Sequence, residues 1–342
     1  MKAVQGMTTT RPLLSPEEIA VRAGGDVPFL RLPERANVFA DRELRLRQLA
    51  AAHPMGDYLR FIAEIARAQH ALLQDYPQVP LPTWQQIEAA ARAAEPPLPA
   101  ASWIRNLGWR AGLAQLLDQL LMRVHDAPAI DTICTLRDAP AEAIEIQADR
   151  LLNGVMLGLD LGTAPLIAAA LQTYWTHLVI ATAAEPVSAA AAPFGRTTDA
   201  TLCPCCGSRP TASITRIGGN ESGYRYLHCS LCSAQWHMVR IKCAVCETTK
   251  GIAYQSLEPL AGHARPATGA AKDAVQAETC DECRHYLKIV HMERDNQVEP
   301  VADDLASVTL DLLVSESGRQ RRGVNLMLLF GDPDPPPEPG AP

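Results

Sequence analysis

From Phe39 onward, apolar residues return at helical spacing: Leu44, Leu46, Leu49 and Ala50 alternate with Asp41, Arg42, Arg45 and Arg47. His53-Pro54 ends this first helix, because the residue before a proline is pushed out of the helical region. A second stripe of Tyr58, Phe61, Ile62, Ile65, Ala68, Gln69 and Leu72 predicts a helix from about Pro54 to Gln74, closed ahead of Pro77. Thr83 stands as the cap of a helix through Ala94, stopped by Pro96-Pro97. Ser102 reads as the cap of another, with Ile104, Leu107, Leu113, Leu116, Leu117, Leu120 and Leu121 turned inward. Further helices are expected over 129–136, 140–154 and 165–182, giving an all-helical domain at 37–183 with short turns marked by proline. Residues 1–36 read as a partly ordered arm, with one short helix beginning at Ser15-Pro16-Glu17-Glu18.

The pattern changes after a linker at 184–200, rich in alanine and proline. Thr211–Ile217 and Tyr224–His228 flank GGNESG as a hairpin, and Trp236–Ile241 is a third expected strand. The same order then recurs, with strands at Gly251–Leu257, Ala274–Thr279 and Tyr286–Met292 around an insertion at about 258–271. Residues 300–316 are expected as one amphipathic helix facing Val301, Leu305, Val308, Leu312 and Leu313 inward. Asp303 and Asp304 at its start read as capping or surface carboxylates. The segment 331–342 is an acidic, proline-rich tail expected to be disordered.

Composition supports the helical half and narrows the partners. Aromatic residues make up 5% of the 342-residue chain, and alanine is abundant, which favours helices over a sandwich or barrel. The formal charge of −7 does not suit phosphate backbones or anionic lipid. The opening MKAVQGMTTTRP lacks the apolar core of a signal peptide, so a reducing, cytoplasmic compartment is expected. The apolar run 166–184 is interrupted by Gln172, Thr173, Thr176 and His177 and reads as a buried helix, with no membrane partner expected.

Eight of the ten cysteines form four C-x-x-C pairs: Cys203/Cys206, Cys229/Cys232, Cys243/Cys246 and Cys280/Cys283. A two-residue gap lets both thiolates of a pair turn toward one cation while backbone N–H groups point at the sulfurs, so two pairs supply one tetrahedral S4 site. Each long gap, of 22 and 33 residues, holds two strands whose ends return to one place. Sequential pairing follows: Cys203, Cys206, Cys229 and Cys232 at one site, and Cys243, Cys246, Cys280 and Cys283 at the other, in preference to an interleaved cross-brace. The fold expected is α+β, an all-helical domain followed by two tandem rubredoxin-like or zinc-ribbon β units (201–242 and 243–330) with a C-terminal helix. Zinc in a structural role and iron in a rubredoxin-like role suit the S4 geometry alike.

Other residues near the sites carry weaker signals. Cys205, inside Cys203-Pro204-Cys205-Cys206, reads as an incidental small residue before a spare thiol, and Cys134 as a small buried hydrophobe. His228, His237 and His285 read as strand side chains sooner than ligands. No G-x-S-x-G, P-loop, dinucleotide fingerprint or H-E-x-x-H is present, and the run GVMLGLDLG at 154–162 follows a helix and reads as a loop. No catalytic residue is assigned and a non-enzyme is expected. Between Cys203 and Val298 eleven Lys/Arg face nine Asp/Glu, too even a balance for a nucleic-acid zinc ribbon once two divalent ions on eight thiolates add −4.

CPCCGSRP at 203–210, YRYLHCSLCSAQWHMVRIKCAVC at 224–246, ETCDECRHYLKIVHME at 278–293 and VADDLASVTLDLL at 301–313 resemble the FdhE family, accessory proteins of formate dehydrogenase. FADRELRLRQLAAAHPMGDYLRFIAEIARAQ at 39–69 is similar to the family's N-terminal segment, and the resemblance spans about 28–330. Departures are Cys205, the insertion-like GHARPATGAA at 262–271 and the proline tail. The resemblance implies a cytoplasmic, non-enzymatic maturation factor. Its partner would be the catalytic subunit of respiratory formate dehydrogenase, a molybdenum enzyme exported by the twin-arginine route. It also implies rubredoxin-like sites associated with iron, and carries the eight paired cysteines over as ligands. Alternatives kept open are a nucleic-acid-binding zinc ribbon and an iron-based redox donor, with a homodimer as a further assembly.

Overall fold

A computed structural model describes residues 27–185, 192–218, 222–257 and 274–329. The helix expected at Ser15, the insertion at 258–271 and the acidic tail lie outside them.

Among the described residues seven helices come first, after a two-residue strand β1 (Leu30–Arg31): α1 (Val38–Ala50), α2 (Gly56–Gln74), α3 (Trp84–Ala93), α4 (Gly108–Leu121), α5 (Ala127–Arg137), α6 (Ala141–Asn153) and α7 (Ala164–Ala184). Thr83 caps α3 through a reciprocal bond with Gln86, as its sequence predicts. The start of α4 differs from expectation. Trp103, whose indole N–H donates to the Tyr174 hydroxyl at 3.2 Å, anchors the turn at 99–107, and the helix begins only at Gly108. Ile104 and Leu107 therefore point outward, 91% and 68% exposed.

α7 is the axis of the bundle and is buried along most of its length. It is long and apolar enough to cross a membrane, yet Gln172 and Trp175 tie it to neighbouring segments. Gln172 Nε2 donates to the Ser230 carbonyl at 2.7 Å, and Gln69 Nε2 donates to Gln172 Oε1 at 3.1 Å. Trp175 Nε1 donates to the Leu98 carbonyl at 3.1 Å.

The second half is one continuous sheet. Its strands are β2 (Pro210–Thr215), β3 (Arg225–Cys229), β4 (Gln235–His237), β5 (Ile252–Gln255), β6 (Val275–Cys280) and β7 (His285–His291), in the order β1-β4-β3-β2-β7-β6-β5. β8 (Gln320–Arg321) pairs with the start of β7. Each knuckle-and-hairpin unit is antiparallel, and the two join where β2 runs parallel to β7 with Ser213 opposite Ile289. The alternation of strand side chains sorts the faces. Leu227, Trp236 and Leu287 enter the helical core, while Ile214, Tyr226 and Val290 form a smaller cluster.

The C-terminal helix is two, α8 (Pro300–Ala306) and α9 (Val308–Glu316). The buried Lys288 ammonium donates to the Asp304 carbonyl at 2.7 Å and the Ser307 hydroxyl at 3.0 Å, drawing the last turn of α8 toward the sheet. Past the break the helix phase changes: Leu310 and Val314 face inward, while Leu312 and Leu313 are more than half exposed. Asp303 and Asp304 are buried, not on the surface. Asp303 receives both Arg45 Nε at 2.9 Å and Arg45 Nη2 at 2.7 Å, and also accepts from the Glu299 amide. Asp304 and Asp311 share Lys288 and Arg321 in a four-charge cluster. Burial raises the Asp303 carboxyl above its usual value; that of Asp304 is lowered, since Arg321 and Lys288 outweigh the same burial.

Candidate metal centres

Each C-x-x-C pair closes a tight turn, and one backbone feature recurs in all four. The residue after the second cysteine takes the left-handed conformation: Gly207, Ser233, Glu247 and Arg284, with φ of 74°, 59°, 56° and 59°. Only one is glycine, so three knuckles carry backbone strain of about 1–2 kcal/mol each. The turn is closed by the Gly207, Glu247 and Arg284 amides donating to the carbonyls of Cys203, Cys243 and Cys280 at 2.8, 3.1 and 3.1 Å. Amides also point at sulfur, with Leu231 and Cys232 N–H donating to Cys229 Sγ at 3.4 Å and Val245 N–H to Cys243 Sγ at 3.4 Å.

These turns bring Cys203, Cys206, Cys229 and Cys232 together, and separately Cys243, Cys246, Cys280 and Cys283; within each quartet the sulfurs lie within 4.8 Å of one another. The grouping is the sequential one. In the first quartet Sγ–Sγ is 3.5 Å for Cys203–Cys232 and Cys206–Cys229, and 3.6 Å for Cys206–Cys232. In the second it is 3.7 Å for Cys243–Cys283 and 3.8 Å for Cys246–Cys280. A regular tetrahedron with metal–sulfur bonds of about 2.3 Å has edges of about 3.8 Å, so both quartets can hold a tetrahedral ion.

The surroundings of the two differ. The first is sealed, every sulfur ligand candidate at most 1% exposed, whereas Cys246 is exposed and Cys283 half-buried. The first is also tied to the helical domain: the Leu98 and Ala100 amides donate to the carbonyls of Cys205 and Cys206 at 3.1 and 2.9 Å. Burial pushes the Cys203, Cys229 and Cys232 thiols well above their ordinary range. It also opposes the Cys206 thiolate, but hydrogen bonds from the other three cysteines and Ser208 hold that thiol well below it. Burial thus opposes four thiolates side by side, and a divalent ion would supply the charge that lets all four ionise. At the second quartet burial raises Cys243 and Cys283; burial also opposes the Cys280 thiolate, but the amides of Cys283 and Glu282 with the Cys283 and Cys243 thiols together hold Cys280 below its ordinary value.

Cys205 is buried beside the first quartet but outside it. His228 pairs with Gln235, His237 packs edge-on against Tyr224 and Tyr226, and none of the three nearby histidines joins a quartet. His285 Nδ1 lies 2.7 Å from the Cys283 carbonyl. Cys134 is only half-buried, in place of the buried position expected. Sequence reasoning missed that Gln172 holds the Ser230 carbonyl inside the Cys229/Cys232 knuckle, and that Arg45 and Asp303 form a buried pair. The polar breaks in α7 and the arginines in an otherwise apolar stripe were the signal available.

A helical bundle carrying one sheet with two C-x-x-C quartets defines a two-centre cysteine metal-binding protein. The chain belongs to the FdhE family, accessory proteins of formate dehydrogenase. The family's N-terminal, central and C-terminal domains match residues 27–191, 202–240 and 241–328. It is 38% identical to the "Protein FdhE homolog" of Cronobacter sakazakii over 306 residues, 90% of this chain and 93% of that one. The protein of the same name from Pseudomonas aeruginosa is 38% identical over 326 residues, 94% and 99% of the two chains. The crystal structure of the FdhE protein from Pseudomonas aeruginosa superposes with a TM-score of 0.73 at 38% identity, covering 89% of this chain and all of that one.

Proposed function

We propose that the chain is a cytoplasmic, non-enzymatic maturation factor that binds the catalytic subunit of a respiratory, molybdenum-containing formate dehydrogenase and supports it before export. Cys203, Cys206, Cys229 and Cys232 hold one ion, and Cys243, Cys246, Cys280 and Cys283 the other. The observation that carries this reading is the pairing of family membership over nearly the whole chain with two quartets already at tetrahedral spacing. Closed S4 sites have no open position for substrate, so the ions act as staples that make the sheet a rigid docking frame. The test is recovery of the tagged full chain from cells grown on formate or nitrate, after crosslinking. A molybdoenzyme catalytic subunit is expected among the captured proteins, and its absence overturns the reading.

Exposure of Cys246 favours one second reading, electron donation from iron in the second quartet to a cofactor of the docked partner. Metal analysis of protein purified without oxygen decides it: iron in that quartet keeps the reading, and zinc in both quartets ends it.

A further inference from the structure

The run 154–162 has no role in the metal centres, yet it is built with care. Gly154 and Gly158 take φ of 66° and 72°, backbone that favours glycine, and fold the run back onto α6. Gln147 Nε2 donates to the Gly158 carbonyl at 3.1 Å, Arg150 Nη1 donates to the same oxygen at 2.5 Å, and the Asp160 amide donates to Gln147 Oε1 at 2.9 Å. Pinned in this way, the loop holds Val155, Leu157 and Leu161 outward at 45%, 75% and 46% exposure. Contiguous apolar side chains on a fastened surface mark a contact site more often than a single exposed leucine does.

Behind the loop lies a cleft of about 480 Å³ between α6, the knuckles of the first quartet and the chain after β8. Leu151, Leu159, Leu231, Leu326 and Leu328 give it apolar walls. Arg150, Arg209 and Arg321 also line it, and no carboxylate does, in a chain of net charge −7. Arg321 is held by Asp304 and Asp311, and Arg150 by the loop. The exposed Arg209 guanidinium has neither a hydrogen bond nor an ion pair among the described residues. Its charge is felt nearby: burial and Arg209 together pull the Arg322 pKa below its usual value.

We propose that this cleft and the 155–161 loop are the docking surface for an acidic, leucine-rich segment of a partner polypeptide. Apolar side chains of that segment enter between the leucine walls, and a carboxylate of it pairs with Arg209. The charge complementarity names the occupant, and the fastened loop lowers the entropy lost on docking. The proposal rests on the reading of the chain as a client-binding factor and adds where the client is held.

The experiment measures binding of the full metal-loaded chain to two probes: the purified catalytic subunit of a formate dehydrogenase, and a fluorescent peptide of leucine and glutamate. Arg209→Glu and Leu157→Asp should each weaken both by about tenfold or more, while Leu313→Asp on α9 changes neither. Unchanged binding of both probes by the first two variants overturns the docking surface and leaves the proposed function standing. If the wild type binds the peptide in this manner but not the subunit, the proposed client is wrong and the surface stands. Four other results overturn the surface. One is that a leucine and lysine peptide binds equally well. Another is that Leu157→Asp converts a dimer to a monomer, which makes a second copy the occupant. A third is that deleting 331–342 alone tightens the peptide tenfold, which makes the chain's own tail the occupant. The last is that Arg209→Glu loses metal, which makes the arginine a charge balance for the quartet.

Discussion

The two quartets share spacing, knuckle conformation and strand order, but one is part of the protein's core and the other part of its surface. The first touches the helical domain at two places, the loop carrying Leu98 and Ala100 and the long helix α7 through Gln172. The second lies at the far end of the shared sheet, touches the main core through Ala244, and leaves Cys246 in solvent. Identical donor sets at different depths differ in what a bound ion would do: in the sealed quartet it would be coupled to the folding of helices and sheet together, while from the open one it could be lost or exchanged with the rest of the fold intact.

The largest test of that contrast removes one ligand from each. Cys206→Ser should leave crowded, buried thiols without their cation and cost a large share of metal-linked folding energy, which is about 10–16 kcal/mol for small zinc peptides. The expected result is insoluble or unfolded protein. Cys246→Ser should give soluble protein with near-native circular dichroism and one ion per chain by elemental analysis. Equal behaviour of the two variants would erase the distinction between core and surface centres.

The next test acts on what fastens each side. Arg45 makes a buried, two-bond contact with Asp303 and a further ion pair with Asp295 at 2.9 Å, joining α1 to α8 on the side of the first quartet. Arg45→Ala leaves the Asp303 carboxylate buried and unpaired, and should lower unfolding free energy by about 3–5 kcal/mol. At the second quartet, Arg319 pairs with Asp281 at 2.7 Å, with Asp281 62% exposed. Asp281→Ala should cost less than about 1 kcal/mol. Denaturant midpoints of the two variants measure the ratio.

This asymmetry was only half legible in the chain. The quartets were legible because C-x-x-C spacing is a local constraint: two thiols on one turn have few places to point. The helices were legible wherever proline and a cap bracketed an apolar stripe, as at Thr83 and Pro96. Depth was not legible, since both units carry the same grammar and burial is decided by which helices arrive, a long-range fact. Asp303 and Asp304 were misjudged for that reason: carboxylates at a helix start normally face water, and only the arrival of Arg45, Lys288 and Arg321 from distant segments makes their burial tolerable. Ile104 and Leu312 fit the apolar stripe of a longer helix, and no periodicity reveals where such a helix breaks. The parallel pairing of β2 with β7, which merges two repeats into one sheet, left no mark in either repeat.

The smallest test concerns the knuckles themselves. Glu247 and Ser233 occupy equivalent left-handed positions, but Ser233 is buried and its hydroxyl lies 3.4 Å from Arg42 Nη2, whereas Glu247 is exposed and its carboxylate lies 4.0 Å from Lys242 Nζ. Glycine relieves the φ of 56° at 247 and removes little else, though the more flexible unfolded chain offsets part of the gain. Glu247→Gly should therefore raise stability by up to about 1 kcal/mol and slow loss of the second ion to a chelator. Ser233→Gly should gain less or lose, because it deletes a buried polar contact of the first knuckle. Matching changes at both positions would mean that the strain is relieved equally at the surface and in the core, and that depth does not govern how these turns respond.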